Sequence, residues 1–259
     1  MSKPAQEQIA HGRYADLDEP DVTDRPLSGG ADAVLSVQPL TPDELIQLSP
    51  GTVTISFLPA ASEPEVLGSM VGRRITSFAM ELVPRISRAQ SMDALSSQAL
   101  VAGYRAALVA AERLPRFFPL FMTAAGTAPP AKVLVLGAGV AGLQAIATAR
   151  RLGAVVSAYD VRTAAAEEVR SMGARFVELD LPALDGSGGY AREMTEERAA
   201  LQRALLAPHV AEADALITTA SVPGRIAPLL VTRSMVAAMR PGSVVVDLSA
   251  ESGGNVEGV

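Results

Sequence analysis

Three glycines, Gly137, Gly139 and Gly142, have the spacing of a turn that binds phosphate groups. They follow the apolar run Val133–Leu136 and precede an alanine-rich segment with helical periodicity. The first glycine permits a tight strand-to-helix turn, the second lets the backbone approach a pyrophosphate, and the third lets the helix pack closely on the strand. The unpaired N–H groups at the start of such a helix then face the phosphates. The spacing therefore predicts a dinucleotide site.

An acidic residue lies where that site needs one. A second apolar run, Val155–Tyr159, ends at Asp160, which lies 18 residues beyond Gly142. A carboxylate at the end of this second strand can accept hydrogen bonds from a ribose diol. Strand, turn, helix, strand and acid thus occur in the order of a nucleotide-binding βαβ unit.

A second polar cluster lies in Met80–Gln98, just after a predicted strand. The cluster consists of Arg85, Arg88, Gln90, Asp93, Ser96, Ser97 and Gln98. In a doubly wound fold the carboxyl ends of the strands face the ligand crevice, so this loop can supply an arginine, an amide and a carboxylate to a nucleotide. A solvated loop in which Ser91 or Asp93 caps the next helix explains the same residues. The spacing alone leaves both interpretations open.

The chain has few histidines and lysines, the residues that most often act as the general base of a dehydrogenase. The two histidines are His11 and His209, and the two lysines are Lys3 and Lys132. His11 and Lys3 lie in a polar N-terminal segment, Lys132 opens the first strand of the nucleotide unit, and His209 is near a predicted helix end. Dehydrogenases that oxidise an alcohol or amine usually need such a base. Either the reaction needs no proton transfer, or this chain does not catalyse alone.

The composition describes an acidic chain that is long enough for two domains. It has 259 residues, of which 49% are hydrophobic and 4% aromatic, and its formal net charge is −6. The length suits two modest domains that share a cleft. The negative charge argues against nucleic acid as a partner. The absence of cysteine excludes disulfides, thiolate catalysis and cysteine-ligated metals, and we expect no metal site.

No segment has the pattern of a targeting signal or a membrane span. The first 20 residues lack the apolar core of a signal peptide. Val133–Ala149 is apolar, but three glycines and Gln144 fit a strand, turn and helix better than a transmembrane helix. We therefore expect a cytoplasmic protein without direct membrane insertion.

The first half of the chain alternates between strand and helix patterns. Residues 1–30 are rich in Asp, Glu, Pro and Gly without periodicity, which predicts a disordered or loosely attached tail. Five elements follow: strand Ala33–Val37, a helix capped by Thr41 with Pro42 at its first position, strand Thr52–Phe57, helix Glu63–Met70 and strand Arg74–Met80. This order predicts a parallel sheet with crossover helices. With a long alanine-rich helix over about Met92–Leu114, residues 31–114 are predicted to form a first α/β domain.

The second half predicts another parallel α/β unit. Residues 115–131 contain four prolines and are typical of a connection between domains, so that residues 115–259 form the Rossmann domain. Its predicted strands are Val133–Leu136, Val155–Tyr159, Arg175–Val177, Ala215–Thr219 and Ser243–Asp247. Asp180–Met194 is glycine-rich and too long for an ordinary connection, which fits either a lid or a surface loop. The predicted fold is α/β, with two doubly wound parallel-sheet domains of which the first is incomplete.

Several longer segments together resemble a known family. They are PRISRAQSMDALSSQALVAGYRAAL, the glycine turn, GGYAREM, VPGRIAPLL and MRPGSVVVDLSAESGGN. In order and spacing, from about Ala31 to Asn255, the chain resembles the NAD(H)-binding domain of the alpha subunit of proton-translocating nicotinamide nucleotide transhydrogenase. The related alanine dehydrogenases share the architecture but not the loop around residues 85–98. Against this pattern the chain lacks the first strand–helix unit and the final strand and helices, which implies truncation at both ends.

The resemblance implies roles for individual residues. Arg85, Gln90 and Asp93 would contact NAD(H): Gln90 would orient the dihydronicotinamide ring, while Arg85 and Asp93 would fix the loop and the ribose. Asp160 would favour NAD over NADP, because its carboxylate repels a 2′-phosphate, and Arg162 argues weakly in the other direction. The remaining implied contacts come from the same loop, the pyrophosphate turn, the adenosine ribose site, a mobile loop and two later positions: Ser91, Met92, Ser96, Val140, Asp160, Val161, Arg162, Gly189, Tyr190, Met194, Gln202 and Ser221.

The resemblance also implies a reaction and partners. Hydride would pass from C4 of NADH to C4 of NADP⁺ on a partner domain, so no base is needed and positioning carries the catalysis. A membrane domain on a partner polypeptide would translocate the proton, and the chain would be peripheral to the inner membrane through that partner. Because domains of this family pair, a homodimer is expected.

Two alternatives differ in class. Alanine dehydrogenase uses a lysine and a histidine in its first domain. This chain has Ser36 where the lysine is expected and Pro59 near the position expected for the histidine. Alanine-dependent NADH formation would favour that enzyme. A non-catalytic or remnant NAD-binding protein is the other alternative, and an absence of hydride transfer with an added partner domain would favour it.

Overall fold

The computed structural model describes residues 30–58, 64–84, 86–162, 164–181, 195–221 and 226–259. The chain divides into two compact units, with the division between Leu95 and Ser96. The domain limits expected at residues 31, 114 and 115 stay predictions. Pro59, almost all of the expected tail and most of the glycine-rich segment 180–194 lie outside the described residues.

The first unit contains a three-stranded parallel sheet with strand order β1-β2-β3. Its elements are β1 (Ala33–Leu35), α1 (Pro42–Gln47), β2 (Val53–Ser56), α2 (Pro64–Gly72), β3 (Thr76–Ala79) and the 3₁₀ helices Met80–Leu82 and Ser87–Met92. Thr41 caps α1: its side chain accepts the N–H of Glu44, and Glu44 Oε2 accepts the Thr41 N–H at 2.7 Å. Apolar side chains such as Leu45 and Leu48 form the core against the sheet. The predicted βαβαβ order is confirmed.

The second unit is built on a five-stranded parallel sheet. Its elements are α3 (Ala94–Arg113, of which the first two residues precede the division), β4 (Phe121–Thr123), β5 (Gly126–Ala128), β6 (Lys132–Leu136), α4 (Val140–Arg151), β7 (Val155–Tyr159), α5 (Ala165–Ser171), β8 (Arg175–Phe176), α6 (Glu196–Glu212), β9 (Ala215–Thr218), α7 (Arg233–Ala237) and β10 (Val244–Asp247). The strand order is β10-β9-β6-β7-β8. The five predicted strands are therefore present, with ends that differ by one residue at most.

Helices cover both faces of this sheet. One face packs on α3, α4 and α5 through small and branched residues such as Ala107, Ile146 and Val169. The other packs on α6 and α7 through Leu206 and Met235. β6 pairs with β7 on one side and β9 on the other, so the strand order reverses at β6. In such a doubly wound sheet the ligand crevice lies at the carboxyl ends of the strands at this switch point.

Residues 115–131 contain more structure than a connection. β4 and β5 pair antiparallel as a short hairpin that turns at Ala124 and Ala125, and Gly126, the first residue of β5, has a φ of 140°. The prolines that suggested an irregular linker flank the hairpin and do not interrupt it, which is why the pattern concealed it. Within the described part of the chain, no helix is both long enough and apolar enough to cross a bilayer.

Candidate functional site

The glycine turn after β6 is held in a conformation that its sequence allows. Gly137 has a φ of 99°, in the region that favours glycine, and its N–H donates to the carbonyl of Tyr159 at 2.8 Å. The Gly137 carbonyl accepts a hydrogen bond from Thr219 Oγ1 at 3.1 Å. The turn is thus tied to β7 on one side and to the segment after β9 on the other.

The other two glycines have different surroundings. A Cβ at Gly142 would lie 1.9 Å from the carbonyl oxygen of Gly137, so close packing of α4 on the turn requires a glycine there. A Cβ at Gly139 would meet no atom of the described residues within 4 Å. Gly142 is therefore required by the fold, whereas Gly139 leaves open space beside the backbone.

Gly139 is also the N-cap of α4, and as a glycine it supplies no capping side chain. The first-turn N–H groups of a helix have no acceptor within the helix, and they carry a partial positive charge. In α4 these N–H groups belong to the turn that begins at Val140, a residue that is 39% exposed. The turn thus presents backbone donors beside an open cradle, which is an arrangement that binds phosphate oxygens.

Asp160 lies against this turn. Its Oδ2 accepts the N–H of Ala138 at 2.7 Å, and its side chain is only 8% exposed. Arg162 forms an ion pair with Asp160 through Nε and Oδ1 at 2.9 Å. The hydrogen bond to Asp160 raises the pKa of Arg162 above its ordinary value. Val161, between them, is part-buried and packs on the α6 side of the sheet.

The segment after β9 is fixed by a buried asparagine. Asn255 is 0% exposed, and its Oδ1 accepts the Ala220 N–H at 3.0 Å while its Nδ2 donates to the Ala220 carbonyl at 2.8 Å. Asp247, at the end of β10, accepts the Asn255 N–H at 2.6 Å. Ser221, the next residue after Ala220, is exposed. Asn255 and Asp247 were not among the site residues that the sequence predicted. An acid at the end of an apolar strand, followed by Gly-Gly-Asn, is a pattern that could have identified them.

α6 contributes a buried amide on the opposite face of the sheet from α4. Gln202 is 1% exposed, and neither Oε1 nor Nε2 has a hydrogen-bond partner within the described chain. One turn earlier, Arg198 lies close enough to Tyr159 to lower its pKa, but burial has the larger effect and raises that pKa to about 12. Buried amides normally have partners, so the orphaned Gln202 points to a ligand or a bound water.

The polar loop of the first unit is partly described. Gln90, Ser91 and Met92 are exposed residues of the 3₁₀ helix Ser87–Met92. Asp93 follows it and Ser96 lies in the first turn of α3; both are part-buried and engaged in polar interactions. Four sequence-predicted site residues lie outside the described residues, namely Arg85, Gly189, Tyr190 and Met194. The functional roles of all these positions stay predictions.

The described candidates for a general base lie at the wrong end of the sheet. Lys132 begins β6, and its Nζ is 3.3 Å from Glu212 Oε2. His209 is in the last turn of α6, the helix that leads into the amino end of β9. Both therefore lie at the amino ends of the strands, away from the glycine turn at the carboxyl ends.

Family models match nearly the whole chain. The model described as "Alanine dehydrogenase/PNT, N-terminal domain" matches residues 14–102, and the model described as "Alanine dehydrogenase/PNT, C-terminal domain" matches residues 106–259. The second match alone covers more than half of the chain.

Individual relatives agree with the family models. The chain is 51% identical over 233 residues to an NAD(P) transhydrogenase subunit alpha polypeptide of Rhodospirillum rubrum, covering 87% of this chain and 61% of that protein. A transhydrogenase structure from Sinorhizobium meliloti superposes with a TM-score of 0.77 at 50% identity, covering 90% of this chain and 63% of that one. Alanine dehydrogenase of Bacillus subtilis is 32% identical over 234 residues, covering 88% of this chain and 56% of that protein.

Identity is thus higher to the transhydrogenase subunit than to the alanine dehydrogenase, as the loop around residues 85–98 predicted. The chain spans about 61% of the length of the transhydrogenase subunit that it matches. With both domain models matched in order, the chain belongs to the alanine dehydrogenase/PNT family.

Proposed function

We propose that this chain is the NAD(H)-binding component of a proton-translocating transhydrogenase, in which hydride passes between NADH bound here and NADP⁺ bound on a partner domain. The glycine turn is the observation on which this proposal mainly rests. The N-terminus of α4 lies beside the open position at Gly139, and Asp160 accepts a hydrogen bond from the same turn. Higher identity to transhydrogenase alpha subunits than to alanine dehydrogenase supports the choice of reaction.

The residues of the second unit fit a dinucleotide. The first-turn N–H groups of α4 would hold the pyrophosphate, and Gly139 would leave room for it. Asp160 would accept hydrogen bonds from the adenosine ribose. Gln202 and Ser221 would provide further contacts, and the unpartnered amide of Gln202 supports this assignment. When bound, the dihydronicotinamide supplies the hydride.

The protein's own contribution would be positional. Transfer between the C4 atoms of two nicotinamide rings neither adds nor removes a proton, so it requires no general base. The described lysine and histidine, Lys132 and His209, lie at the amino ends of strands, which agrees with such a reaction. Alignment of two reacting rings at close range can itself account for a large part of a rate enhancement.

The remaining assignments follow from the resemblance. Gln90 would orient the dihydronicotinamide, and Arg85 and Asp93 would fix the loop and the ribose. Gly189, Tyr190 and Met194 would belong to the loop that closes over the nucleotide. NADP(H)-binding and membrane domains would be the partners, the chain would act as a homodimer, and it would be a cytoplasmic protein held at the inner membrane by those partners.

The test is a titration with NADH, and separately with NADPH, followed by nicotinamide fluorescence. The chain has no tryptophan, so the reduced ring is observed against a low background. We expect saturable NADH binding that is tighter than NADPH binding and is weakened by Asp160→Ala. Asp43→Ala, which removes an exposed acid in the first turn of α1, is the control for charge and should bind NADH normally.

A hydride-transfer assay with an added NADP(H)-binding domain then tests the reaction. Transfer from NADH to an NADP⁺ analogue is expected, without dependence on alanine. Absence of NADH binding would refute the proposal. Binding without transfer would favour a solely binding protein, and alanine-dependent NADH formation would favour an alanine dehydrogenase.

A further inference from the structure

The carboxylate of Asp160 is fully occupied by protein donors. Oδ1 accepts the backbone N–H and the Nε–H of Arg162, each at 2.9 Å. Oδ2 accepts the Ala138 N–H at 2.7 Å and Arg162 Nη2 at 2.9 Å. An ionised carboxylate offers about four lone-pair positions, and four hydrogen bonds fill them. A ribose diol can reach Asp160 only by displacing some of these donors.

The two donors that can leave belong to the Arg162 side chain. The Ala138 and Arg162 backbone N–H groups are held by the chain itself, whereas the guanidinium sits on a flexible stem. Arg162 Nη2 also donates to the Ala138 carbonyl at 3.2 Å, so the guanidinium spans the acid and the glycine turn. The guanidinium and the carboxylate together form a neutral pair in which the arginine side chain is 21% exposed.

This pairing changes the electrostatics of the ribose site. A bare Asp160 carboxylate repels a 2′-phosphate, which is the usual basis for preferring NAD. A guanidinium at 2.9 Å cancels most of that repulsion and can itself pair with a phosphate. The acid alone therefore does not determine which dinucleotide the site accepts.

We propose that Arg162, together with Asp160, determines the dinucleotide specificity of the adenosine ribose site: it competes with the ribose diol for Asp160 and offsets the repulsion between Asp160 and a 2′-phosphate. This inference rests on the proposed function, because it presumes that the ribose binds at Asp160. Removal of the guanidinium leaves Asp160 open to the diol and restores its full repulsion.

The experiment compares NADH and NADPH dissociation constants by nicotinamide fluorescence in three variants of the full chain. In Arg162→Gln, NADH affinity should stay the same or improve while NADPH affinity falls. The ratio of the NADPH dissociation constant to the NADH dissociation constant should therefore rise about tenfold. In Asp160→Asn, which keeps the guanidinium and removes the carboxylate charge, the ratio should shift about tenfold toward NADPH. Arg170→Gln removes the same charge from an exposed pair with Glu178 and should leave the ratio unchanged.

The outcomes separate this inference from the proposed function. A ratio that moves by more than about threefold in opposite directions in Arg162→Gln and Asp160→Asn supports it. A ratio that stays within threefold in either variant, or an Arg162→Gln protein whose NADH affinity falls with its NADPH affinity, overturns it and assigns Arg162 a structural role. Failure of the unsubstituted protein to bind NADH overturns the proposed function and this inference together. Circular dichroism and thermal unfolding identify a variant that has lost its fold, in which case the other charge variant decides.

Discussion

The two glycines of the turn should separate folding from binding. Gly139→Ala adds a methyl group that has no atom of the described residues within 4 Å, on a backbone with an ordinary φ of −76°. Gly142→Ala adds the same methyl group 1.9 Å from the carbonyl oxygen of Gly137 and 3.0 Å from Thr219 Oγ1. The chemical change is the same in both variants, so any difference between them comes from position.

The contacts determine the size of each effect. At Gly142 the neighbouring carbonyl is backbone, and it must move by roughly 1 Å to relieve the contact. Overpacking of this kind costs about 1–3 kcal/mol or more, which lowers the midpoint of thermal unfolding by about 2–4 °C per kcal/mol. At Gly139 the fold should be unaffected, but the methyl group occupies the space proposed for the pyrophosphate. Loss of two charge-assisted hydrogen bonds, at about 1.5 kcal/mol each, weakens NADH binding about a hundredfold.

Thermal unfolding by circular dichroism and NADH titration, done on both variants, check this pair. Gly103→Ala is a matched control for overpacking: its Cβ would lie 2.0 Å from the carbonyl oxygen of Ala141, so it should destabilise the second unit as Gly142→Ala does. The reasoning is refuted if Gly139→Ala unfolds at a lower temperature than Gly142→Ala, or if Gly139→Ala binds NADH as tightly as the unsubstituted protein.

Three further predictions concern single side chains. Asn255→Ala leaves the Ala220 N–H without its acceptor and leaves the Ala220 carbonyl with Ser249 Oγ as its remaining donor. Thermal unfolding should therefore show a loss of about 2–4 kcal/mol and NADH titration a weaker site, and unchanged stability would contradict this interpretation of the loop. Thr41→Ala removes the α1 capping box and should cost about 1 kcal/mol in the first unit, while an exposed Gln47→Ala control in the same helix changes little. Because burial raises the pKa of Tyr159 from 10.0 to about 12, the unfolded chain loses that proton first, and the free energy of unfolding should fall between about pH 10 and 12. Tyr159→Phe should abolish both this fall and the absorbance change that titrates near pH 12, and persistence of both in the variant would reject the assignment.

Local pattern determined much of the second unit. The apolar runs that became β6 and β7 were identified to within one residue, because a strand buried on both faces is a continuous apolar run that ends at a turn residue. Glycine spacing located the turn, since only glycine tolerates the φ of 99° at Gly137. The hairpin of β4 and β5 was missed, because short exposed strands carry no such run.

The sequence by itself determined the family, the order of the strands in the two parallel sheets, and the position of the glycine turn, because these depend on residue type and spacing along the chain. Only the tertiary structure decided how those residues pair. It placed the Arg162 guanidinium on both oxygens of Asp160, buried the Gln202 amide without a partner in the described chain, and joined Asn255 to Ala220 across 35 positions of sequence. Hydrogen bonds of this kind depend on distance in space and on competition between donors, and neither quantity can be obtained from spacing along the chain.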